Sequence, residues 1–515
     1  MNYSVALVGF EEGENLGLRY IASFLISKGV STIIIPYRPD SKERILQSLL
    51  LHKPKIVGFS LIFQRMLDDF NELISYLRKN NITSHFTMGG HFPSIEPDKV
   101  LGEIRHLDSI IRCEGEITLL ELYNNIGNPE LWDGIDGLVF RKNASVITNK
   151  FRELIVNLDE LPFPLRNQKP YTHKNIGLST ILSSRGCYYN CCFCSIHEFY
   201  KDSKGKNRRR RTPQNVVKEI LHLFKTYNTR IFIFEDDDFP LKGERNVEWI
   251  NAFVDDLKRF DLHDKIIWRI STRIDEVDKS ILKELMNYGL ISVYLGIESG
   301  NDYSLKLFNK RYTESDVYNT LGIFEELNLP YEFGFMLLHP YCTFDTIAKD
   351  LIFLRNISGS GLTNIHFTKM IPYAGTQIEK DMIEVKRFKG SICNPDYNYL
   401  DERIDYYQLF LSLAFHHRNF DKNGLLESLR YAKFDQIIQS KFHAASKGAN
   451  NELIKNLMRL SNYTFINAAS KGLLFMQGRS LDDILNGWSE LEGLINEEKH
   501  TETSIIARIQ EVVAV

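Results

Sequence analysis

The sequence predicts an α/β protein in three parts, and three observations carry that prediction. The first hundred residues alternate short β-branched runs with longer helix-like stretches, the signature of a parallel sheet covered by helices. The same alternation resumes near residue 176 after a proline-punctuated break, and past about residue 380 the β signals fade and helical patterns take over. A chain of 515 residues is too long for one hydrophobic core and is expected to divide into domains. We place the parts at 1–150, a connector at 151–175, a second α/β part at 176–380 and a helical C-terminal region at 381–515.

In the first part, "YSVALVG", "STIIIPY", "KIVGFSL" and "HFTMGG" read as strands, and "LGLRYIASFLISKG", "SKERILQSLLLH" and "LDDFNELISYLRKN" as the helices between them. Ligands of such sheets sit beyond the carboxyl ends of the strands, here the loops beginning at Gly9, Ser60 and Gly89. "NPELWDGIDGLVFRKNASVITNK" predicts a hairpin, and "LDELPFPLRNQKPY" a domain connection. The second part offers six strand candidates, "LSTILSS", "RIFIFEDDD", "KIIWRIST", "ISVYLGIESG", "PYEFGFMLLHP" and "LTNIHFTKMIP". Six β/α units predict an open or partial barrel with its chemistry at the carboxyl ends of the strands. "YYQLFLSLAFHH", "NGLLESLRYAKFDQIIQSKF" and "LDDILNGWSELEGLINEE" then supply the helices of the last part.

A formal net charge of -3 gives no general reason to bind nucleic acid or anionic lipid. The start lacks the basic and apolar regions of a signal peptide, and no apolar run is long enough to cross a bilayer. We therefore expect a cytoplasmic protein with no membrane and no nucleic-acid partner. The run "KGKNRRRR" has few interleaved aromatics and is expected to be a solvated, mobile segment.

Four of the seven cysteines fall within "GCYYNCCFCS". In a reducing compartment such a cluster points to metal ligands or redox groups before structural disulfides. Cys187, Cys191 and Cys194 form C-x3-C-x2-C directly after a strand and its Arg-Gly turn, with Cys192 between two of them. Three thiolates on one loop can each reach a different iron of a cubane cluster, leaving a fourth iron open. Zinc is the weaker reading, because no second cysteine pair completes its four ligands; a redox pair or disulfide is the other alternative. Cys113, Cys342 and Cys393 are isolated and read as small buried or half-buried side chains.

This loop resembles the cluster-binding signature of the radical S-adenosylmethionine (radical SAM) superfamily. The resemblance implies that Cys187, Cys191 and Cys194 hold a 4Fe-4S cluster whose open iron takes the amine and carboxylate of S-adenosyl-L-methionine. One electron would then cleave the carbon–sulfur bond to give a 5'-deoxyadenosyl radical that takes a hydrogen atom from the substrate. An electron donor such as flavodoxin or ferredoxin is implied with it. Phe193, just before the last cysteine, corresponds to the family's adenine-packing aromatic, with ordinary core packing as its alternative. "RRRRTPQNVVKEI", "IFIFEDDDF", "GLISVYLGIESGND" and "IPYAGTQI" resemble later family segments in order, with Ala374 in place of the usual proline. By that alignment Asp236 is expected to fix the ammonium of S-adenosylmethionine, and Glu298 and Ser299 to bond its ribose or methionine atoms. Ser271 and Arg273 are weaker candidates, since the arginine could equally pair with a nearby acid.

An α/β domain ahead of such a barrel resembles the cobalamin-binding subclass, so the first part is expected to be a Rossmann-like cobalamin-binding domain and the second a radical SAM partial (β/α)6 barrel. "VGFSL", "MGGHFPSIEPDKVL" and "IIRCEGEITLLEL" match that subclass's strand ends. Gly89 and Gly90 would let a bulky ring approach the backbone. Ser60, His91 and Glu114 would meet the corrin amides or nucleotide tail, with turn and cap chemistry as the alternative. The Asp-x-His-x-x-Gly motif that supplies the lower cobalt ligand in mutases is absent, and the corresponding loop reads "FEEGENLGLRY". "LIFQRML" brings Gln64 and Arg65 to the same face without an assigned role.

The expectation is a cobalamin-dependent C-methyltransferase of specialised-metabolite biosynthesis, acting on a small molecule, lipid or peptide. The alternatives are a radical enzyme with the same cofactors performing cyclisation, ring contraction or oxidation, and a non-catalytic iron-sulfur or electron-transfer protein. The open three-cysteine spacing argues against the last.

Overall fold

The computed structural model describes residues 3–143, 145–166, 170–442 and 451–513. It divides into two compact units, Met1–Asp238 with Glu248–Ile266 and Pro372–Asp396, and Phe239–Val247 with Ile267–Ile371 and Tyr397–Val515. Residues 167–169 of the predicted connector and Ala144 of the predicted hairpin lie outside the described residues.

In the first unit, β1 (Val5–Phe10), β2 (Thr32–Tyr37), β3 (Ile56–Ser60), β4 (His85–Gly89), β5 (Ser109–Ile111), β6 (Leu138–Lys142) and β7 (Ser145–Thr148) form one sheet in the order β2-β1-β3-β4-β5-β6-β7. It is parallel through β5, and β6 and β7 add the antiparallel hairpin. Successive side chains of a strand face opposite sides of a sheet. Accordingly Ala6 and Val8 join one buried cluster with Tyr37, Phe59 and Phe70, while Val5 and Leu7 join another with Leu18, Leu25 and Leu122. Both faces are thus buried under helices, which is why these strands are nearly all apolar.

The same unit holds β8 (Tyr171–His173), β9 (Ile176–Ile181), β10 (Ser184–Arg185), β11 (Arg209–Arg210) and β12 (Thr229–Phe234). β9 runs parallel to β12, and β10 pairs antiparallel with β11. Thr212 caps the helix Pro213–Tyr227, accepting the Asn215 amide at 3.2 Å, which explains the Thr-Pro start. In the second unit β13 (Ile267–Thr272), β14 (Leu290–Glu298), β15 (Tyr331–Leu338) and β16 (Thr368–Lys369) are parallel neighbours. With β9 and β12 they supply the six barrel strands that the sequence predicts. The helices Arg403–Phe420, Leu425–Phe442, Asn451–Met476, Leu481–Asn486 and Trp488–Val513 make up the predicted helical region. Among the described residues, no helix is long and apolar enough to cross a membrane.

Candidate active site

The cysteine loop grows out of the short β10/β11 ribbon, in the register Ser184↔Arg210 and Arg185↔Arg209. Gly186 turns the chain with φ +81, and a side chain there would collide with the Asn207 carbonyl, so only glycine serves. Its amide donates to Asp237 Oδ2 at 2.9 Å. Within the loop the Cys194 amide donates to the Cys191 carbonyl at 3.1 Å, and the Ile378 amide donates to the Cys192 carbonyl at 3.1 Å. All four cysteines are half-buried and none is in a disulfide.

Burial, with the neighbouring Asp237 and Cys191, pushes the Cys187 thiol up to about 11 and the Cys194 thiol up to about 12. Sulfurs this desolvated become thiolates only against a cation. The donor set therefore fits an iron–sulfur cluster and has little use for free thiols.

The basic run corrects the sequence reading. Arg208, Arg209 and Arg211 are buried, not solvated. Arg209 donates to both oxygens of Glu114 at 2.8 Å, and Arg211 to Glu219 at 2.6 Å. Arg208 donates to the Asp238 carbonyl, and Arg210 stacks on Trp249 at 3.6 Å. Arg185, half-buried, pairs with Glu114 at 3.0 Å and Glu116 at 2.7 Å. Each of these arginines roots the cysteine loop in its surroundings.

A cavity of about 660 Å³ opens beside this root. Its wall combines the carboxyl ends of the first sheet, including Ser60, Gly89, Gly90, His91 and Glu114, with Arg185, Tyr200 and Asp237 from the cysteine-loop side. Much of the remaining lining is apolar, including Leu7, Phe10, Leu18, Phe59 and Ile111. An apolar pocket with a few convergent polar groups suits a large amphipathic cofactor, and the wall fits cobalamin in that sense. His91 packs edge-on against Phe199 at 4.5 Å, and burial lowers it to about 4, so it is neutral at pH 7. Gly90, at φ +115, is required because a side chain would collide with the Leu61 carbonyl; its reason is backbone packing, whatever the cavity holds. Glu114 reaches the wall, but its carboxylate is taken by Arg185, Arg209 and the Ile155 amide at 3.0 Å. In the "FEEGENLGLRY" loop, Glu11 pairs with Arg19 at 2.7 Å, and Glu14 with Arg19 and Arg166.

Several residues expected to contact S-adenosylmethionine have hydrogen-bond or ion-pair partners within the chain. Asp236 accepts from the Ser183 amide at 3.0 Å, the Ser183 hydroxyl at 2.7 Å and the Ser184 hydroxyl, so its carboxylate is spent on the backbone turn. Its neighbour Asp237 faces the cavity instead, and burial raises it to about 6. Ser299 is 0% exposed and donates to Asp350 at 2.9 Å. The Gly300 amide reaches the same oxygen at 2.7 Å. Arg273 pairs with Asp275 at 2.9 Å, the structural alternative named above. Glu298 adopts φ +68 and pairs with Lys310 at 3.1 Å. Ser271 accepts the Phe239 amide through its carbonyl, and Phe193 is half-buried. Arg185 and Asp350 escaped the sequence reading, and Asp237 was one of several candidate acids but not the favoured one. Only the repeated acids of "EDDDF" offered any signal for Asp237.

These features define a radical enzyme's cluster loop beside a cobalamin-type domain, and the comparisons agree. Residues 181–354 match the family described as the Radical SAM superfamily and residues 5–123 the B12 binding domain. The chain belongs to the radical SAM proteins that carry a cobalamin-binding domain, enzymes whose cofactors are a 4Fe-4S cluster, S-adenosylmethionine and cobalamin. It is 27% identical over 371 residues to an uncharacterised methyltransferase of Pyrococcus horikoshii, covering 71% of this chain and 78% of that one. It is 23% identical over 429 residues to an anaerobic magnesium-protoporphyrin IX monomethyl ester cyclase of Rubrivivax gelatinosus, covering 78% and 75%. Its fold matches that of the cobalamin-dependent S-adenosylmethionine radical enzyme OxsB with a TM-score of 0.73, at 16% identity, over 99% of this chain and 80% of that one.

Proposed function

We propose that the protein is a cobalamin-dependent radical SAM methyltransferase that acts on an unactivated carbon of a small molecule or peptide in specialised-metabolite biosynthesis. We place it in the cytoplasm, with a reduced flavodoxin or ferredoxin as electron donor. The observation that carries the reading is the cavity of about 660 Å³ at the first sheet's carboxyl ends, which shares Arg185 and Asp237 with the root of the cysteine loop. The methyltransferase relative supports it. When bound, the cluster and S-adenosylmethionine supply a carbon radical and cobalamin a transferable methyl group.

The chain's own part is positioning. Cys187, Cys191 and Cys194 are the thiolates that hold the cluster, and Asp237 orients the loop through the Gly186 amide. The apolar wall excludes water, and neutral His91 offers one donor and one acceptor to a cofactor amide. Ser60 and Asp237 remain our candidates for cofactor contact.

The test is anaerobic protein loaded with cobalamin, given S-adenosylmethionine and a strong reductant, with S-adenosylhomocysteine and 5'-deoxyadenosine quantified by mass spectrometry. Both products are expected. Deoxyadenosine alone would overturn methyl transfer and favour a cyclisation-type outcome, which the cyclase relative keeps as the second reading. Neither product, from protein with a full cluster and candidate substrates present, would overturn the radical assignment.

A further inference from the structure

We infer that Gln64 is a positioning residue that ties the cobalamin-side loop after β3 to the cluster loop, so that occupancy of one cofactor site sets affinity at the other. The inference rests on the function proposed above. The Gln64 side chain is buried with both ends of its amide engaged. Nε2 donates to the Ile392 carbonyl at 2.7 Å, and Oε1 accepts the Ala374 amide at 2.7 Å. Both partners lie more than three hundred residues away, in the segment Pro372–Asp396 that belongs to the first unit.

That segment acts as a strap. Gly375 has φ +78 and lies so close to Ile95, in the helix His91–Ile95, that a side chain would collide with it. Thr376 caps the helix Gln377–Glu384, accepting the Glu379 amide at 3.4 Å. The second residue of that helix, Ile378, donates its amide to the Cys192 carbonyl at 3.1 Å. Only the stretch from Ala374 to Ile378 separates the grip of Gln64 from the cysteine loop. At the other end, Ser60 and Ile62 line the cavity just before Gln64, and the Phe63 ring meets Tyr373 at 6.1 Å.

A cavity occupant that orders Ser60 and Ile62 therefore orders a loop whose next polar residue holds the strap, and the strap holds the carbonyl between two cluster ligands. A buried amide with both ends bonded cannot shift without stranding its partners. The same contacts give Cys192 a role through its backbone, which its side chain did not suggest.

Coupling between binding sites is reciprocal and typically worth fivefold or more in affinity. The experiment measures the S-adenosylmethionine Kd of anaerobic, cluster-reconstituted protein with and without hydroxocobalamin. We expect roughly a fivefold or larger ratio in the wild type. Gln64→Leu, similar in size but unable to hydrogen-bond, should bring the ratio to within about twofold, with iron and sulfide content, cobalamin binding and circular dichroism unchanged. Gln64→Glu keeps the acceptor for Ala374 and should fall between. Should Gln64→Leu fail to fold, Ile378→Pro removes the other hydrogen bond at a helix position that accepts proline. A wild-type ratio near one, or a full ratio retained in Gln64→Leu, would overturn the inference; in the second case the His91–Phe199 contact would be the route. A protein that binds S-adenosylmethionine but no cobalamin sinks the proposed function itself, a distinguishable failure.

Discussion

The ion-pair group at the root of the cysteine loop makes the sharpest stability prediction. Glu114 has a side chain 7% exposed and faces Arg209 at 3% and Arg185 at 12%. Arg185 keeps Glu116 if Glu114 is neutralised, whereas among the described residues Arg209 keeps only the Ile155 carbonyl at 3.0 Å and the Tyr200 ring at 5.3 Å. Removing one partner of a buried pair strands the other charge and costs about 3–5 kcal/mol. Glu114→Gln retains the shape and one acceptor, so its cost belongs at the lower end, about 3 kcal/mol. The assay is urea unfolding followed by circular dichroism, with Lys142→Ala as the control. The Lys142–Asp133 pair is 44% and 51% exposed, and its loss should cost no more than about 1 kcal/mol. Adding Arg209→Met to Glu114→Gln should recover part of the loss, because an apolar replacement no longer strands a charge. A Glu114→Gln change below about 1 kcal/mol, or no recovery in the double variant, would refute the claim that this pair is desolvated.

Three further outcomes are expected. Alanine at Cys187, Cys191 or Cys194 should each abolish the reconstituted cluster, read as iron and acid-labile sulfide per chain, while Cys192→Ala should retain it because the substitution leaves its carbonyl, which accepts the Ile378 amide, in place. Asp236→Ala strands three donors on Ser183 and Ser184 and should cost roughly 3 kcal/mol in stability; unchanged stability with weakened S-adenosylmethionine binding would support the cofactor role instead. His339 is fully buried against Ser304 at 3.0 Å, and burial lowers it from 6.5 to about 3. The fold therefore holds it neutral while the unfolded chain protonates below about 6.5. Relative to His339→Gln, the wild type should lose about 1.4 kcal/mol per pH unit as the pH falls from about 6.5 toward 3. Urea midpoints for both proteins at pH 7 and pH 5 check the sign, and parallel losses would contradict it.

What the sequence made legible follows the range of the interactions. The cysteine loop and the alternating strands could be read because their chemistry needs particular residue types at short spacings. The arginine run could not, because Arg209 meets Glu114 across 95 positions of chain. A run of like charges looks solvated until its distant partners are known. Asp236 and Asp237 could not be told apart in the sequence for another reason. Neighbouring side chains at a strand end point to opposite sides, so one acid turns inward to Ser183 and the next faces the cavity. Resemblance to a motif locates such a pair without saying which member faces the ligand. The hydrogen bond of Ser299 was likewise illegible, because its partner Asp350 lies 51 residues on, in the helix Phe344–Ile357.

The placement of these long-range contacts bears on why the two cofactor sites share one compact unit. Buried ion pairs are poor value as stabilisers, since apolar residues of similar size do as well. A guanidinium fork on a carboxylate instead specifies direction as well as distance. Here Glu114 and Glu116, at the start of the helix Gly115–Asn124 below the cavity, grip Arg185 and Arg209, the paired residues of the ribbon from which the cysteine loop springs. Three thiolates must be held to within about half an ångström to ligate one cluster. The ion pairs fix the ribbon from which the cysteine loop springs to the helix start of the cobalamin-type domain, and on the function proposed above that domain would be part of the cluster's scaffold. Deleting residues 1–150 should consequently remove the chain's ability to hold its cluster, even though the whole cysteine loop lies outside that stretch.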